Sequence, residues 1–438
     1  MYKLSKYTLI YAYKKEYIVY NTLTQALILI NKEIKVILDN LNHSSINNET
    51  KKNLNTLYEN GIIAKSKEDE RKKASLWLYQ LKSKTDTLTA TVLTTMKCNF
   101  ACTYCFENKI MDNTSLSVKD AGKIAYWLIE RAKLLKSQRI KVVFYGGEPL
   151  CNTKPIEIIS NILNQWAKIT NQSYEFSMFT NGSLLTPDMA DRLVPLGLKS
   201  VKITLDGDKD IHDKQRPFKN GKGSFDIVLK NIEACADKLK IVIGGNITEK
   251  SYKSVLRLID ILTEKGLHKK LYMVRFAPIA TRLGKGCTIE PDDIFSYSET
   301  KLTEKAFQLT KKLQEKGFNI GFWLNTNTCS MLDEGNNITI DPKGNIYKCN
   351  VLVGQQEQIV GNINSQEFNA VHQKLRSFTP WQIERCKTCP FLPMCNGGCR
   401  YKAFVEKGDF FACNCRQDLY YKYMPRWVTL EYKRTLEK

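Results

Sequence analysis

The chain has 438 residues, of which 43% are hydrophobic and 25% are charged, and this length allows two or three folded domains. It contains no apolar run of about 18 residues, and Lys14, Lys15 and Glu16 interrupt the segment where a signal peptide would have its apolar core, so we expect a cytoplasmic protein with no membrane contact. The net charge of +21 is spread along the chain, so charge alone does not choose between nucleic acid, an acidic peptide and an acidic electron donor as the partner.

Residues 1–85 have the pattern of a small α+β module. Two alternating segments, 7–13 and 16–21, meet across Lys14 and Lys15 and predict a hairpin. Helices follow around Ile34, Ile37 and Leu38 and over 50–60, the second stopping at Gly61 before a short strand at 62–64. This winged-helix-like layout has no recognition helix rich in Arg or Asn, which favours peptide capture by strand addition over DNA binding. A lid or a dimerisation element is the alternative.

Residues 65–84 predict a charged helix that links this module to an α/β domain at 86–285. Six strands are predicted at 89–96, 140–145, 175–180, 200–205, 241–246 and 271–277. Helices are predicted between them near 117–135, 155–168, 187–195, 224–237 and 252–265. Six β/α units favour a partial, TIM-like (β/α)6 barrel over an open doubly wound sheet, and in either fold the site lies at the carboxyl ends of the strands.

Polar residues and glycines follow four of these strands. The first strand is followed by Cys98, the second by 146–149 (GGEP), the third by 180–182 (TNG) and the fourth by 204–207 (TLDG). All four would meet at one mouth of the barrel. Asp206 is expected either to cap a turn or to contact a ligand, and the nearby His212 is expected to be structural.

The first of these segments carries three cysteines, Cys98, Cys102 and Cys105, at the spacing C-x3-C-x2-C. Fourteen cysteines in a reducing compartment indicate metal binding rather than disulfides. A [4Fe-4S] cluster is normally held by four thiolates, so a loop with three leaves one iron free for a small molecule. A zinc site and three buried thiols are the alternatives.

C-x3-C-x2-C after the first strand followed by GGEP after the second resembles the radical S-adenosylmethionine (radical SAM) enzymes. The resemblance implies that AdoMet binds the free iron and is cleaved to methionine and a 5'-deoxyadenosyl radical. It also implies that Gly146, Gly147 and Glu148 hold the methionine amino group. Further implied contacts with AdoMet come from Tyr104, near the adenine, and from Thr204, Arg216 and, more weakly, Ala277.

Cysteines return after residue 286, and their spacing resembles the C-terminal SPASM extension of radical SAM enzymes, here 286–438. Zinc would compete for such spacings in isolation. The resemblance implies two auxiliary [4Fe-4S] clusters, three in all with the first. One auxiliary cluster would use Cys329, Cys349 and Cys399, with Cys287 or an open iron in fourth place. The other would use Cys386, Cys389, Cys395 and Cys415, with Cys413 as the alternative to Cys415. Cys151 and Cys235 lack such spacing and are expected to be buried thiols.

Asn350 separates two possible branches, because sulfatase maturases of this kind carry an Asp base after the corresponding cysteine and a neutral Asn cannot take a proton. The better resemblance is to enzymes that mature ribosomally made peptides and bind the leader with an N-terminal module. We therefore expect an oxidative carbon to carbon or thioether crosslink in a precursor peptide, with a flavodoxin or ferredoxin as reductant and no nucleic acid. A sulfatase-type maturase and a zinc-ribbon nucleic-acid binder are the alternatives.

Overall fold

The computed structural model describes residues 2–41, 48–105, 107, 112–278, 300–321, 324 and 329–436; Cys287 lies outside them. The chain divides into two compact units. One contains Met1–Lys84, Phe322–Asp333 and Ser377–Lys438, and the other contains Thr85–Gly321 and Glu334–Arg376. These two units are defined by how the chain packs. The predicted division into three functional domains, 1–85, 86–285 and 286–438, stays a prediction. No described helix combines the length and the apolar character needed to cross a membrane.

The N-terminal part of the first unit has strands and helices close to those predicted. The elements are β1 (Lys3–Leu4), β2 (Thr8–Tyr13), β3 (Glu16–Asn21), β4 (Leu27–Ile30), α1 (Lys32–Asp39), α2 (Asn48–Glu59), β5 (Ile63–Ala64) and α3 (Lys67–Ser83). The predicted hairpin β2–β3 is confirmed, and β4, which was not predicted, extends it to an antiparallel sheet in the order β2-β3-β4. The Asn21 side chain fixes the connection to β4, because its Oδ1 accepts from the backbone N–H groups of Leu23 and Thr24, both at 2.9 Å.

The second unit contains a nine-stranded, mostly parallel sheet. Its first part alternates β6 (Thr87–Thr95), α4 (Val118–Leu135), β7 (Arg139–Gly146), α5 (Thr153–Thr170), β8 (Ser173–Thr180), α6 (Pro187–Leu193), β9 (Leu198–Thr204), α7 (Lys209–Gln215), α8 (Phe225–Cys235), β10 (Lys240–Ile247), α9 (Tyr252–Glu264) and β11 (Met273–Pro278). All six predicted strands and all five predicted helices of this part are confirmed to within a few residues, and the short α7 is additional. The mixed α/β class is therefore confirmed.

Three further strands extend this sheet at the β6 edge and were not predicted. The later elements of the unit are α10 (Thr300–Glu315), β12 (Asn337–Ile340), β13 (Asn345–Tyr347), β14 (Gly361–Asn362) and α11 (Ala370–Ser377). The strand order is β11-β10-β9-β8-β7-β6-β12-β13-β14, and β12 runs parallel to β6 while β13 and β14 pair antiparallel. The described sheet therefore ends at β11 on one side and β14 on the other.

The six strands β6–β11 bury one face beneath the helices and leave the other face more open. On β7, for example, Ile140, Val142 and Phe144 are fully buried while the residues between them are half-buried. The same alternation on β9, β10 and β11 puts Thr204, Asn246 and Ala277 on the open face. This face and the loops at the carboxyl ends of its strands define the candidate active site.

The C-terminal part of the first unit shares its core with the N-terminal strands. It contains α12 (Glu384–Lys387), α13 (Leu392–Cys395), α14 (Arg400–Lys407) and α15 (Gln417–Leu436). One buried cluster joins Ile18 and Tyr20 of β3 to Phe391 and to Met424 and Val428 of α15. The Thr22 hydroxyl also donates to the Pro390 carbonyl at 2.5 Å. The cysteine-rich segment therefore packs on the N-terminal module, a pairing that the spacing of residues did not predict.

Candidate active site

The loop after β6 carries Cys98, Cys102 and Cys105, all half-buried. It is held against the C-terminal end of α7 and the residues that follow, because the Ala101 and Thr103 backbone N–H groups donate to the carbonyls of Pro217 at 2.8 Å and Gln215 at 3.0 Å. Burial raises the pKa of the Cys98 thiol to about 12 and that of the Cys105 thiol to about 11. These thiols therefore need a strongly positive partner to become thiolates at neutral pH, and a group of three soft sulfur donors fits an iron–sulfur cluster.

The two glycines after β7 let this strand end approach the cysteine loop closely. Gly146 has a φ of +135°, and a Cβ at Gly146 or Gly147 would overlap the carbonyl oxygen of Thr95 or Lys97. Because neither residue has a Cβ, the Gly147 N–H can donate to the Thr95 carbonyl at 3.0 Å and the Glu148 N–H to the Lys97 carbonyl at 2.8 Å. The glycines are therefore required for packing between the strand end and the cysteine loop.

Glu148 is completely buried and ties the ends of β7 and β8 together. Its Oε1 accepts from the Thr180 hydroxyl at 2.8 Å and from the Leu150 N–H at 3.1 Å, and its Oε2 accepts from the Asn181 N–H at 2.7 Å. Burial raises the pKa of this carboxyl, although the three hydrogen bonds oppose that effect. Both oxygens are engaged inside the protein, which makes Glu148 a positioning residue here, and the contact with AdoMet stays a prediction.

The Tyr104 hydroxyl connects the cysteine loop to the ends of β9 and β10. It accepts from Arg216 Nη1 at 2.5 Å and from Asn246 Nδ2 at 3.2 Å, and it donates to Asp206 Oδ2. Asp206 has a fully buried side chain, lies 3.7 Å from Arg216 Nη1, and accepts from the Asn246 N–H at 2.7 Å. The structure thus brings two residues predicted to contact AdoMet, Tyr104 and Arg216, into one part-buried network that includes the cysteine loop.

Asn246 is a member of this network that the sequence reasoning missed. It is the penultimate residue of β10, directly after Gly244 and Gly245, so it carries the signal used for the other strands, a polar residue near a carboxyl end. Arg216 provides a second clue to a ligand, because its Nε is buried without a hydrogen-bond partner in the described part of the chain. An orphaned donor beside three thiols fits an anionic or carbonyl-bearing ligand such as AdoMet.

The other two predicted contacts lie on the same open face of the sheet. Thr204 is half-buried and is in register with Gly244, while Ala277 is exposed and in register with Asn246. Both are therefore near the strand ends that carry the network, and their contact with AdoMet stays a prediction.

His212 is fully buried and binds the backbone of Asp206, in agreement with the expected structural role. Its Nδ1 accepts from the Asp206 N–H at 3.4 Å, and its Nε2 lies 3.1 Å from the Ser224 hydroxyl, which donates to the Arg216 carbonyl at 2.6 Å. An acceptor role at Nδ1 requires the neutral ring with its proton on Nε2. Burial lowers the pKa of His212 from 6.5 to about 3.

We expect this histidine to make stability fall in mildly acidic solution. Because the folded pKa lies below the unfolded value, the unfolded chain binds the extra proton, and the contribution of His212 is complete above pH 6.5 and lost as the pH falls toward 3. Between about pH 7.5 and about pH 5.5 the loss is about 1.4 kcal/mol. Urea denaturation of the wild type and of His212→Gln at both pH values measures this loss. The difference in the free energy of unfolding between the two proteins should become smaller at the lower pH. An unchanged difference would contradict the buried neutral ring.

Five cysteines line a pocket in the first unit: Cys386, Cys389, Cys395, Cys413 and Cys415. Cys413 is buried with its Sγ 3.6 Å from that of Cys386, whereas Cys415 is exposed at the pocket rim. The predicted set of Cys386, Cys389 and Cys395 is thus brought together with both candidates for fourth place. Among the described residues, no three His, Cys, Asp or Glu side chains are arranged to bind a single metal ion. A cubane has a different requirement, because each thiolate binds a different iron.

The remaining predicted ligands are distributed over the chain. Cys329 and Cys399 are half-buried in the first unit, where the N–H groups of Met331 and Arg400 donate to the Cys329 sulfur. Cys349 belongs to the second unit, and its joint role with Cys329 and Cys399 stays a prediction. Cys235 is buried as expected, but Cys151 is exposed at the end of the short turn Pro149–Cys151, so that expectation is wrong.

Comparison with known proteins agrees with this arrangement. Residues 92–259 match the Radical SAM superfamily. A cysteine-type anaerobic sulfatase-maturating enzyme from Clostridium novyi is 26% identical over 327 residues, which are 69% of this chain and 85% of that enzyme. The radical SAM cyclopropyl synthase TigE from Paramaledivibacter caminithermalis is 20% identical over 408 residues, which are 84% of this chain and 80% of that enzyme.

Two solved structures show the same fold at low identity. Streptococcus suis SuiB bound to the precursor peptide SuiA has a TM-score of 0.55 and 16% identity, over 95% of this chain and all of that one. The enzyme anSMEcpe with bound AdoMet and the Cp18Cys peptide has a TM-score of 0.62 and 19% identity, over 79% of this chain and 99% of that one. At identities of 16% and 19%, these two structures show that the fold is similar and nothing further.

Proposed function

We propose, from the match of residues 92–259 to the Radical SAM superfamily, that the chain is a peptide maturase that forms an oxidative crosslink, carbon to carbon or thioether, in a ribosomally made precursor. The observation that carries the proposal is the loop of three thiols at the carboxyl end of β6, fastened to the segment that bears Arg216. The match of residues 92–259 to an enzyme superfamily is also the reason to abandon the zinc-ribbon nucleic-acid binder.

Cys98, Cys102 and Cys105 would bind three irons of a [4Fe-4S] cluster and leave the fourth for the amino and carboxylate groups of AdoMet. When bound, this pair of cofactors supplies the 5'-deoxyadenosyl radical that removes a hydrogen atom from the substrate. Gly146, Gly147 and Glu148 set the distance between the β7 end and the cysteine loop and so shape the place for the methionine group.

Tyr104, Arg216, Thr204 and Ala277 would line the rest of the AdoMet site. The Arg216 guanidinium is held by Tyr104 and by the buried Asp206, which leaves its Nε–H as the donor available to a ligand. Because Asp206 is itself held by Asn246 and by the His212 ring, the donor is fixed before AdoMet arrives.

We assign two auxiliary [4Fe-4S] clusters to the later cysteines. The five-cysteine pocket supports one of them, with Cys386, Cys389 and Cys395 and either Cys415 or Cys413 as ligands. The other would use Cys329, Cys349 and Cys399, with Cys287 or an open iron in fourth place. When bound, these clusters would accept the electron that the substrate loses as the crosslink forms.

The substrate is proposed to be a precursor peptide whose leader adds as a strand to the N-terminal sheet. Within the described three-stranded sheet, β2 and β4 are edge strands, and an edge presents the backbone groups that strand addition needs. SuiB, which shares the fold along nearly the whole chain, was solved with its precursor peptide. The net charge of +21 suits an acidic flavodoxin or ferredoxin as the electron donor.

The proposal predicts an iron-containing protein that converts AdoMet to 5'-deoxyadenosine. Anaerobically reconstituted protein should hold about twelve irons per chain and show visible absorption that bleaches on reduction. Incubation with AdoMet, a reductant and synthetic peptides encoded beside the gene should give a product that has lost two hydrogens, seen by mass spectrometry. A peptide without its leader should be modified far more slowly. A reconstituted protein without iron would contradict the proposal.

A sulfatase-type maturase is the second candidate, because a sulfatase-maturating enzyme is among the relatives. Asn350 disfavours the sulfatase-type maturase, because a side-chain amide cannot act as the base that the oxidation of Cys or Ser requires. The test is a peptide with the Cys or Ser of a sulfatase site. Conversion of that residue to an aldehyde would establish this candidate, and an unchanged mass alongside active AdoMet cleavage would remove it.

A further inference from the structure

Arg400, directly after Cys399, is a completely buried cation at the start of α14. Within the part of the chain that the structure describes, all hydrogen-bond partners of its guanidinium are backbone carbonyls. Nη1 donates to Phe410 at 2.9 Å and to Ala412 at 3.0 Å, Nη2 donates to Gly397 and to Gly398, the latter at 3.2 Å, and Nε donates to Gly398 at 3.3 Å. These bonds satisfy the hydrogens of the guanidinium but leave its charge uncompensated.

No carboxylate of the described residues forms an ion pair or a hydrogen bond with this guanidinium. The residues placed around Arg400 are cysteines instead. Cys399 directly precedes it, and its guanidinium bonds to the loop between Cys395 and Cys399. The guanidinium also bonds to the carbonyl before Cys413, and the Arg400 backbone N–H donates to the Cys329 sulfur. An arginine side chain cannot lose its proton in a protein, and a buried charge without a counter-charge is strongly destabilising. The compensating charge would therefore come from the proposed clusters that these four cysteines hold.

The four sulfurs belong to both proposed auxiliary sites. Cys329 and Cys399 are assigned to one cluster, while Cys395 and Cys413 line the five-cysteine pocket of the other. The connection between the sites is short and rigid, because Asn396, Gly397 and Gly398 all have positive φ and the Asn414 N–H donates to the Gly397 carbonyl at 3.1 Å. Arg400 is bonded to this loop and to the carbonyl that precedes Cys413.

We infer that Arg400 is the shared counter-charge of the two auxiliary clusters and raises the reduction potential of both. The inference rests on the proposed auxiliary clusters. A cubane with four thiolates carries a charge of about −2 when oxidised and about −3 when reduced, so a buried cation beside it favours the reduced state. In crosslinking, the substrate radical loses one electron and one proton, and the electron reduces one auxiliary cluster by one unit. Arg400 is thus a positioning residue that makes this transfer favourable.

The test is a redox titration of the auxiliary clusters followed by electron paramagnetic resonance. Cys98, Cys102 and Cys105 are first replaced by alanine in the full chain, so that only auxiliary signals remain. In this background Arg400→Gln and Arg400→Met remove the charge, whereas Arg400→Lys keeps it but cannot make the same set of carbonyl bonds. Arg71→Gln is the matched control, because Arg71 is an exposed arginine of the same unit, with a side chain 71% exposed.

We expect Arg400→Gln and Arg400→Met to lower the equilibrium constant for one-electron reduction at least about tenfold, which is about 59 mV. The reduction potential of Arg400→Lys should stay closer to that of the parent protein, and the potential of Arg71→Gln should equal that of the parent. If the uncharged variants lose iron while Arg400→Lys retains it, the charge is required for assembly, which also supports the inference. Equal behaviour of all three Arg400 variants, in iron content and potential, would overturn it. A parent protein without auxiliary iron would instead contradict the proposed function.

Discussion

Replacing Cys98, Cys102 and Cys105 together by alanine is expected to reduce 5'-deoxyadenosine formation from AdoMet to background. The three thiols are the only protein ligands that the proposal gives to the first cluster, and they lie on the loop that also carries Tyr104. Iron content should fall by about four atoms per chain, from about twelve to about eight, because the auxiliary clusters remain. Iron analysis and chromatography of the AdoMet products measure the two effects on one sample.

Cys151→Ser is the matched control for this change. Cys151 is exposed and has no proposed ligand role, so the variant should keep its iron and its AdoMet cleavage. Two results would contradict the assignment of the first cluster. One is a triple variant that still cleaves AdoMet, and the other is a triple variant that keeps all its iron.

The sequence predicted the parallel strands and the residues at their carboxyl ends because both signals are local. Alternating apolar residues and helical periodicity define β6–β11 and their helices, and the strand ends of a parallel sheet must meet at one edge. Gly146 and Gly147 could be recognised by residue type, although their specific reason, the carbonyls of Thr95 and Lys97, becomes visible only in three dimensions.

The features that were missed depend on partners far away in the chain. Asn246 has a role only because it meets the Tyr104 hydroxyl, 142 positions earlier. The strand β12 has four residues and joins the sheet through β6, whose position in the chain is about 250 residues earlier. The packing of β3 against α15 is of the same kind. No local sequence pattern predicts such long-range contacts. Each residue shows only its own apolar or polar character, and its partner is known only from the folded structure.

Replacing Arg216 by methionine is expected to lower the free energy of unfolding by about 3–5 kcal/mol, because it leaves the Asp206 carboxylate buried without its cation. The Asp206 side chain is 0% exposed, and the nearest Arg216 nitrogen lies 3.7 Å from it. The same change removes the Nε–H donor proposed for AdoMet, so AdoMet should also bind at least about tenfold more weakly, which corresponds to about 1.4 kcal/mol. Denaturation at equal iron content and equilibrium binding of AdoMet measure the two effects.

The double variant Arg216→Met with Asp206→Asn separates the charge pair from the ligand contact. With both charges removed, no unpaired ion is buried, so stability should recover most of the loss seen in Arg216→Met. AdoMet binding should stay weak, since the Nε–H donor is still absent. If the double variant is no more stable than Arg216→Met, the loss comes from packing rather than from the buried charge. If AdoMet binding recovers together with stability, Arg216 acts on the site through folding alone, and its orphaned donor has another purpose.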